Sequence, residues 1–317
     1  MSTVADTLEA EHRTLSEGCG VVDRAGRGRL ALTGPDAKAF LQGQVTNDVE
    51  ALEPGRGCYA ALLTHKGKML GDMRVLDAGD ELLLGCERAA LQELFNMIRR
   101  YKLGRDVEVH KRTLEMGELS LIGPEARRIA GAAGPGSPGP HEHDNVRGEI
   151  GGHPVLLVAT DVGLDVFCDA ERTEGVRGAL LAAGAMEVGE AAAEVLRVER
   201  GRPRYGLDLD DSVIPQEAGL NERAVSFTKG CYVGQETVAR LHYRGKPNRH
   251  LRGLRLSAPV EAGTPLRLGE KEVGRVASTA LSPGHGPIAL ALVRREASPG
   301  DTLAAGDATA EVVDLPF

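Results

Sequence analysis

The chain has 317 residues, of which 42% are hydrophobic and 26% charged, and its formal net charge is -8. That length suits two or three domains with real cores. The acidic balance argues against a general nucleic-acid binder, whose phosphate contacts need a basic surface.

Aromatic residues make up only 3% and Trp is absent, so the cores must be built from Leu, Val, Ala and Ile. The five cysteines, Cys19, Cys58, Cys86, Cys168 and Cys231, are scattered and form no CxxC pair. The spacing predicts no metal site and suits a reducing compartment. Residues 1–6 carry neither a basic nor an apolar leader, and no apolar run is long enough to span a bilayer. The expectation is a cytoplasmic protein without membrane contact.

In chain order, Gly34-Pro35-Asp36 marks a helix start, with Ala37, Phe40 and Leu41 on one face. Residues 62–76 alternate around the polar turn His65-Lys66-Gly67-Lys68, the pattern of a β-hairpin. Residues 81–86 form a further strand. Ala90, Leu91, Leu94, Phe95 and Ile98 recur at helical spacing. Residues 119–122 read as a strand, and 131–140, rich in Gly and Pro, as an exposed, mobile loop. Strands over 155–158 and 163–167 precede helices over 175–183 and 189–200. Another helix covers 235–243. From Pro247 onward five short strands, at 251–256, 264–268, 274–278, 288–293 and 308–313, alternate with Gly and Pro, the mark of a small β-barrel or sandwich.

Three stretches carry chemistry-bearing residues. In the helix before Gly201, Ala192, Val195 and Leu196 share a stripe with Glu199. A carboxylate on a buried face needs a partner. Arg200, Arg202 or Arg204 could supply it, or a ligand with two parallel N–H donors. Cys231 lies just before the first turn of the 235–243 helix, two residues after Lys229. Gly230 and Gly234 flank it. A helix N-terminus and a nearby ammonium favour thiolate, although a free Cys is commonly just a small buried residue. Glu236 suits the first helical turn through its charge alone, while Arg240 and Arg244 make a basic face that is either solvated or anion-holding. Asp72, in an otherwise apolar strand, either faces solvent or projects into a cleft as a proton acceptor.

Taken together, Leu41-Gln42-Gly43-Gln44-Val45-Thr46-Asn47-Asp48-Val49, Arg197-Val198-Glu199-Arg200-Gly201-Arg202 and Lys229-Gly230-Cys231-Tyr232-Val233-Gly234-Gln235-Glu236 resemble the YgfZ family. That family lies in the superfamily of the glycine cleavage T-protein, or aminomethyltransferase. The resemblance implies an α+β fold, with three domains in a ring around a central folate channel. The expected domains are 1–115 with 186–245, a ferredoxin-like domain over 116–185, and a C-terminal β-barrel over 246–317. It implies tetrahydrofolate or a folate derivative as ligand, and a monomer that assists iron–sulfur cluster assembly or repair. The clusters include those of enzymes that thiolate transfer RNA. Iron–sulfur proteins become transient partners. Separately, the basic run from Arg240 to Arg255 allows contact with transfer RNA, the weakest reading given the net charge of -8. By motif position, Cys231 is the key thiol and Glu199 faces the pterin. Tyr59, Lys229, Gly230, Gly234, Gln235, Glu236 and Arg240 line the ligand. The alternative is a folate-dependent one-carbon transferase using Asp72 and Glu199. Two departures count against ordinary aminomethyl transfer: the T-protein's adjacent Asp-Asp pair reads Gly71-Asp72 here, and the T-protein lacks the cysteine that stands here as Cys231.

Overall fold

The computed structural model describes residues 4–317. The chain opens with α1 (Val4–Glu17), β1 (Gly20–Asp23), β2 (Gly28–Thr33) and α2 (Ala37–Gln42). The hairpin of β3 (Gly57–Leu63) and β4 (Met69–Asp77) leads through β5 (Leu82–Cys86) to α3 (Leu91–Tyr101) and β6 (Glu108–Lys111). Then come β7 (Met116–Ile122), α4 (Ala126–Ala133), β8 (Asn145–Ile150), β9 (His153–Thr160), β10 (Gly163–Asp169) and α5 (Thr173–Ala182). β11 (Met186–Glu187), α6 (Glu190–Glu199), α7 (Asn221–Ala224) and α8 (Gln235–Arg244) follow. The chain ends in β12 (Arg249–Leu256), β13 (Pro265–Leu268), β14 (Lys271–Ser282), β15 (Gly286–Arg294), β16 (Thr302–Ala305) and β17 (Ala308–Val313).

The fold is α+β, and the chain divides into two compact units. The first holds the residues up to Leu63, Leu70–Ala193 and Arg223–Val233. It contains a five-stranded sheet ordered β3-β4-β5-β2-β6 and a six-stranded sheet ordered β11-β1-β7-β10-β9-β8. Strand alternation sorts the side chains of the second sheet. Leu119 and Leu121 on β7, with Leu164 and Val166 on β10, pack with Ile129 of α4 and Val176 and Leu180 of α5. On the opposite face, Val158 and Phe167 pack with Leu76 and Leu83 of the other sheet. Glu118, Ser120 and Asp165 share that face and form a buried ion network. Arg29, fully buried, bonds Glu118 at 2.9 Å, and Arg74 pairs with both Glu118 and Asp165. Buried charges of this kind persist only when paired and hydrogen-bonded. Arg29 meets the condition by also donating to the carbonyls of Ala25, Thr113 and Met116.

The second unit comprises Thr64–Met69, Glu194–Glu222 and Gly234–Phe317. Its centre is a closed six-stranded barrel ordered β12-β15-β14-β13-β16-β17, filled by Leu254, Leu266, Val276, Leu303 and Val312 among others. Closure removes exposed sheet edges. Against the barrel, Val198 of α6 packs on Ile288 and Leu290.

Three expectations need correction. The 131–140 stretch is not all loop, since residues 131–133 complete α4. On α6 the buried line is Ala192-Val195-Val198, while Leu196 is only half-buried. The barrel has six strands and not five, because Thr302–Ala305 pairs with Ala308–Val313 in a tight hairpin.

Candidate functional site

Asp72 sits in β4 of the first unit with only 4% of its surface exposed. It therefore projects inward, the second of the two orientations open from sequence. Burial pushes its carboxyl up to about 6, and a hydrogen bond from Tyr59 pulls partly the other way. Tyr59 lies on the neighbouring β3, so the hairpin brings the two together. Burial first, and the Asp72 charge second, hold the Tyr59 phenol well above its ordinary value, so it stays protonated as a donor. Asp72 Oδ2 is buried without a hydrogen-bond partner among the described residues. A buried acceptor of this kind is suited to an N–H donor of a ligand. Two residues from elsewhere complete the cluster. The Arg223 guanidinium carbon lies 5.2 Å from the Tyr59 ring centroid, a cation–π contact, and Arg223 bonds Glu142 at 2.5 Å. The His143 ring stacks near Tyr59, with centroids 6.4 Å apart and 27° between planes.

Lys229 is held by backbone carbonyls. Its ammonium turns into the first unit and donates to the carbonyls of Gln42, Val45 and Asn47 at 2.6, 2.8 and 2.8 Å. Burial pushes this ammonium down to about 8, with Asp48 opposing. Its charge bears on Cys58, whose thiol burial drives up to about 12 with Lys229 lowering it in part. The same clamp is reinforced by Thr46, which donates to the Ala224 carbonyl at 2.5 Å, and by Asn47, which donates to the carbonyls of Tyr59 and Arg223. Thus the 42–47 loop and the 223–229 segment are tied to each other and to β3.

Cys231 follows this clamp and is the exposed cysteine of the five. A side chain added at Gly230 would meet nothing within 4 Å, so open space adjoins the cysteine. Gly234, by contrast, is required by its backbone: it caps α8 at φ 85°, which an L side chain rarely adopts. Gln235 is half-buried at the start of α8, and Glu236 and Arg240 are exposed on it.

In the second unit Glu199 is half-buried at the end of α6. A hydroxyl that the sequence did not point to reaches it. Ser282, buried at the end of β14, donates to Glu199 Oε1 at 2.6 Å. The Ser282 oxygen in turn accepts the N–H groups of Gly284 and His285. Val198, packed on the barrel, fixes the helix end that presents Glu199. Arg197, one turn away from Glu194, bonds both Glu194 and the fully buried Asp208, so that face of α6 is filled by an ion cluster.

The GCVT N-terminal domain family matches residues 1–229, and the glycine cleavage T-protein C-terminal barrel domain matches residues 249–317. The chain belongs to the glycine cleavage T-protein family. The Arabidopsis thaliana protein named "Putative transferase At1g60990, chloroplastic" is 30% identical over 309 residues, 95% of this chain and 71% of that protein. The aminomethyltransferase of Rubrobacter xylanophilus is 29% identical over 320 residues, 98% of this chain and 86% of that protein. The crystal structure of aminomethyltransferase T of the glycine cleavage system from Bartonella henselae superposes with a TM-score of 0.86 at 24% identity, covering 98% of this chain and 89% of that one. That likeness establishes the shared fold.

Against the T-protein pattern, the Gly71-Asp72 departure now has a physical reading. Successive strand residues face opposite sides of a sheet. A Cβ at Gly71 would lie 2.8 Å from Ala90 Cβ and 3.4 Å from Leu94 Cδ2, under α3. The retained acid, Asp72, is the one on the Tyr59 face. Sequence reasoning missed His143, Arg223 and Ser282. The run His141-Glu142-His143-Asp144-Asn145, dense in titratable groups after a Gly/Pro loop, was the available signal for the first. Neither Arg223 nor Ser282 had one.

Proposed function

We propose that this T-protein family member binds tetrahydrofolate or a close derivative. We further propose that through Cys231 it acts as a YgfZ-type accessory factor in the assembly or repair of iron–sulfur clusters, including those of transfer-RNA-thiolating enzymes. The observation that carries the reading is the exposed Cys231 at the end of a segment pinned by the three carbonyl bonds of Lys229. Folate binding is supported by the unpartnered buried Asp72 Oδ2 beside the Tyr59 ring in the first unit; Glu199, in the second unit, is assigned to the pterin by its motif position alone. Tetrahydrofolate, when bound, supplies a nitrogen that can carry a one-carbon unit. One thiolate cannot hold a cluster that takes four, and among the described residues no group of three or more His, Cys, Asp or Glu is placed to hold a metal ion. Cys231 therefore acts transiently or as one ligand in a complex with a partner. Five unpaired thiols suit a reducing compartment such as the cytoplasm. Among the described residues no helix is long and apolar enough to cross a membrane. The test is Cys231→Ser in cells lacking the wild-type protein. Cluster-dependent enzymes should lose activity while the purified variant still binds tetrahydrofolate, and normal activity of those enzymes would remove the proposal.

A second reading, a folate-dependent one-carbon transferase, is favoured by Asp72, a buried carboxyl held near 6 and thus close to the value useful in a general base at neutral pH. Incubation with tetrahydrofolate and methylated amines should then yield methylene-tetrahydrofolate, and Asp72→Asn should abolish it. No product from any donor would end this reading.

A further inference from the structure

His143 stands out in the first unit on three counts. Among the described residues it is the non-glycine residue at positive φ, 73°. Strained conformations persist where the surroundings over-determine them, and they cluster at ligand sites. Here the surroundings do so. The His143 N–H donates to the Ala159 carbonyl at 2.8 Å, and its carbonyl accepts from Asn145 Nδ2. On β3, a Cβ at Gly57 would fall 2.9 Å from His143 Cβ, so glycine at that position makes room for the imidazole.

Second, the ring is placed by chemistry. It stacks on Tyr59, the residue that also bonds Asp72, while Nε2 faces Glu142 Oε1 at 3.7 Å. The carboxylate draws the ring proton to Nε2, and Nδ1 is left as an acceptor. Third, Nδ1 is buried without a hydrogen-bond partner, in a residue only 6% exposed. Burial, together with the charges of Arg74 and Arg223, pushes the imidazole down to about 3, which keeps that lone pair free at neutral pH.

We infer that His143 is a ligand-contacting residue of the Tyr59–Asp72 site, and that Nδ1 and Asp72 Oδ2 together select the reduced pterin over the oxidised one. This rests on the folate reading above and deepens it. Two buried acceptors call for two polar hydrogens on the same ligand. A tetrahydropterin ring carries hydrogen on both N5 and N8. The fully oxidised ring has bare nitrogens there, whose lone pairs would oppose those of the protein. A site built to accept a hydrogen bond rejects an analogue lacking the hydrogen, because its own buried group is left unpaired.

The experiment is calorimetric titration of the wild-type protein and His143→Asn with tetrahydrofolate and with folic acid. Asn tolerates the left-handed conformation but lacks the ring nitrogen. The wild-type protein should prefer tetrahydrofolate by about tenfold or more, and the variant should lose most of that preference with its melting temperature kept. Nitrogen-15 NMR of the wild-type protein labelled at histidine does not depend on the variant folding. The His143 Nδ1 resonance should shift on adding tetrahydrofolate and not on adding folic acid. Equal wild-type affinity for the two ligands, or an unchanged preference in the variant with no Nδ1 shift, would overturn this assignment and leave folate binding standing. Absence of any binding to the wild-type protein would overturn both.

Discussion

Ser282 donates its hydroxyl to Glu199 Oε1 at 2.6 Å, and so the carboxylate that closes α6 is aimed by the last residue of a barrel strand. The bond explains how an acid can lie beside the apolar Ala192-Val195-Val198 line: its cost of burial is offset by a hydroxyl already oriented by two backbone N–H groups. Removing the hydroxyl takes one partner from each of these three groups. Ser282→Ala should lower unfolding free energy by about 1–3 kcal/mol, the range spanned by ordinary hydrogen bonds and those to a charged group. Urea unfolding checks it, and a change under a few tenths would show that the bond is not formed in solution.

By its three carbonyl bonds Lys229 is a positioning residue. Lys229→Met strands three carbonyls and should cost about 2–4 kcal/mol in urea unfolding. The alkylation rate of Cys231 should change little, because the ammonium is directed at Gln42, Val45 and Asn47. A large fall in that rate would restore the direct electrostatic role expected from spacing.

Thiol labelling should be selective. Burial holds the thiols of Cys19, Cys58 and Cys86 at about 11, 12 and 12, and raises that of Cys168 as well. Of the five, only Cys231 is exposed. Brief iodoacetamide treatment of the native protein should give a single adduct at Cys231 by mass spectrometry, with four more appearing in denaturant. Native labelling at Cys58 or Cys86 would contradict the burial of β3 or β5.

The pH dependence of stability carries the signature of Asp72. Its folded value of about 6 lies above the ordinary 3.8, so the folded state binds more protons between the two. The stabilising contribution is therefore fully present below about pH 4 and is lost as pH rises through 6. The difference in unfolding free energy between the wild-type protein and Asp72→Asn should change by roughly 3 kcal/mol across that window, at about 1.4 kcal/mol per pH unit separating the folded and unfolded values. A flat difference would place the carboxyl in solvent.

Restoring the second acid of the T-protein pattern should damage the fold. Gly71→Asp drives a Cβ to 2.8 Å from Ala90 Cβ and sets a charge beneath α3. A loss of about 3 kcal/mol or more is expected. A well-folded Gly71→Asp protein with new aminomethyl transfer would refute this placement.

Much of the architecture was legible because its signals were local. The hairpin around 65–68, the α3 stripe and most barrel strands follow from period and turn residues over a dozen positions or fewer. β2 gave no alternation, since its buried residues run continuously from Gly28 to Leu32. β16 is four residues long, and half of it is alanine. The site was legible only where a motif stood in one stretch. Arg29 reads as a surface residue until Glu118, 89 residues away, supplies its partner. His143 and Arg223 likewise gain meaning only through Tyr59, which no local pattern links to them. The direction of the Lys229 side chain was not legible either, because its three acceptors lie more than 180 residues back along the chain.

Calorimetric titration of tetrahydrofolate into the wild-type protein, Glu199→Ala and Cys231→Ser tests the folate account most directly. The wild-type protein and Cys231→Ser should bind alike, and Glu199→Ala should bind at least about tenfold more weakly, as loss of a charge-assisted acceptor requires. No heat of binding with the wild-type protein, or equal affinity in Glu199→Ala, would contradict it.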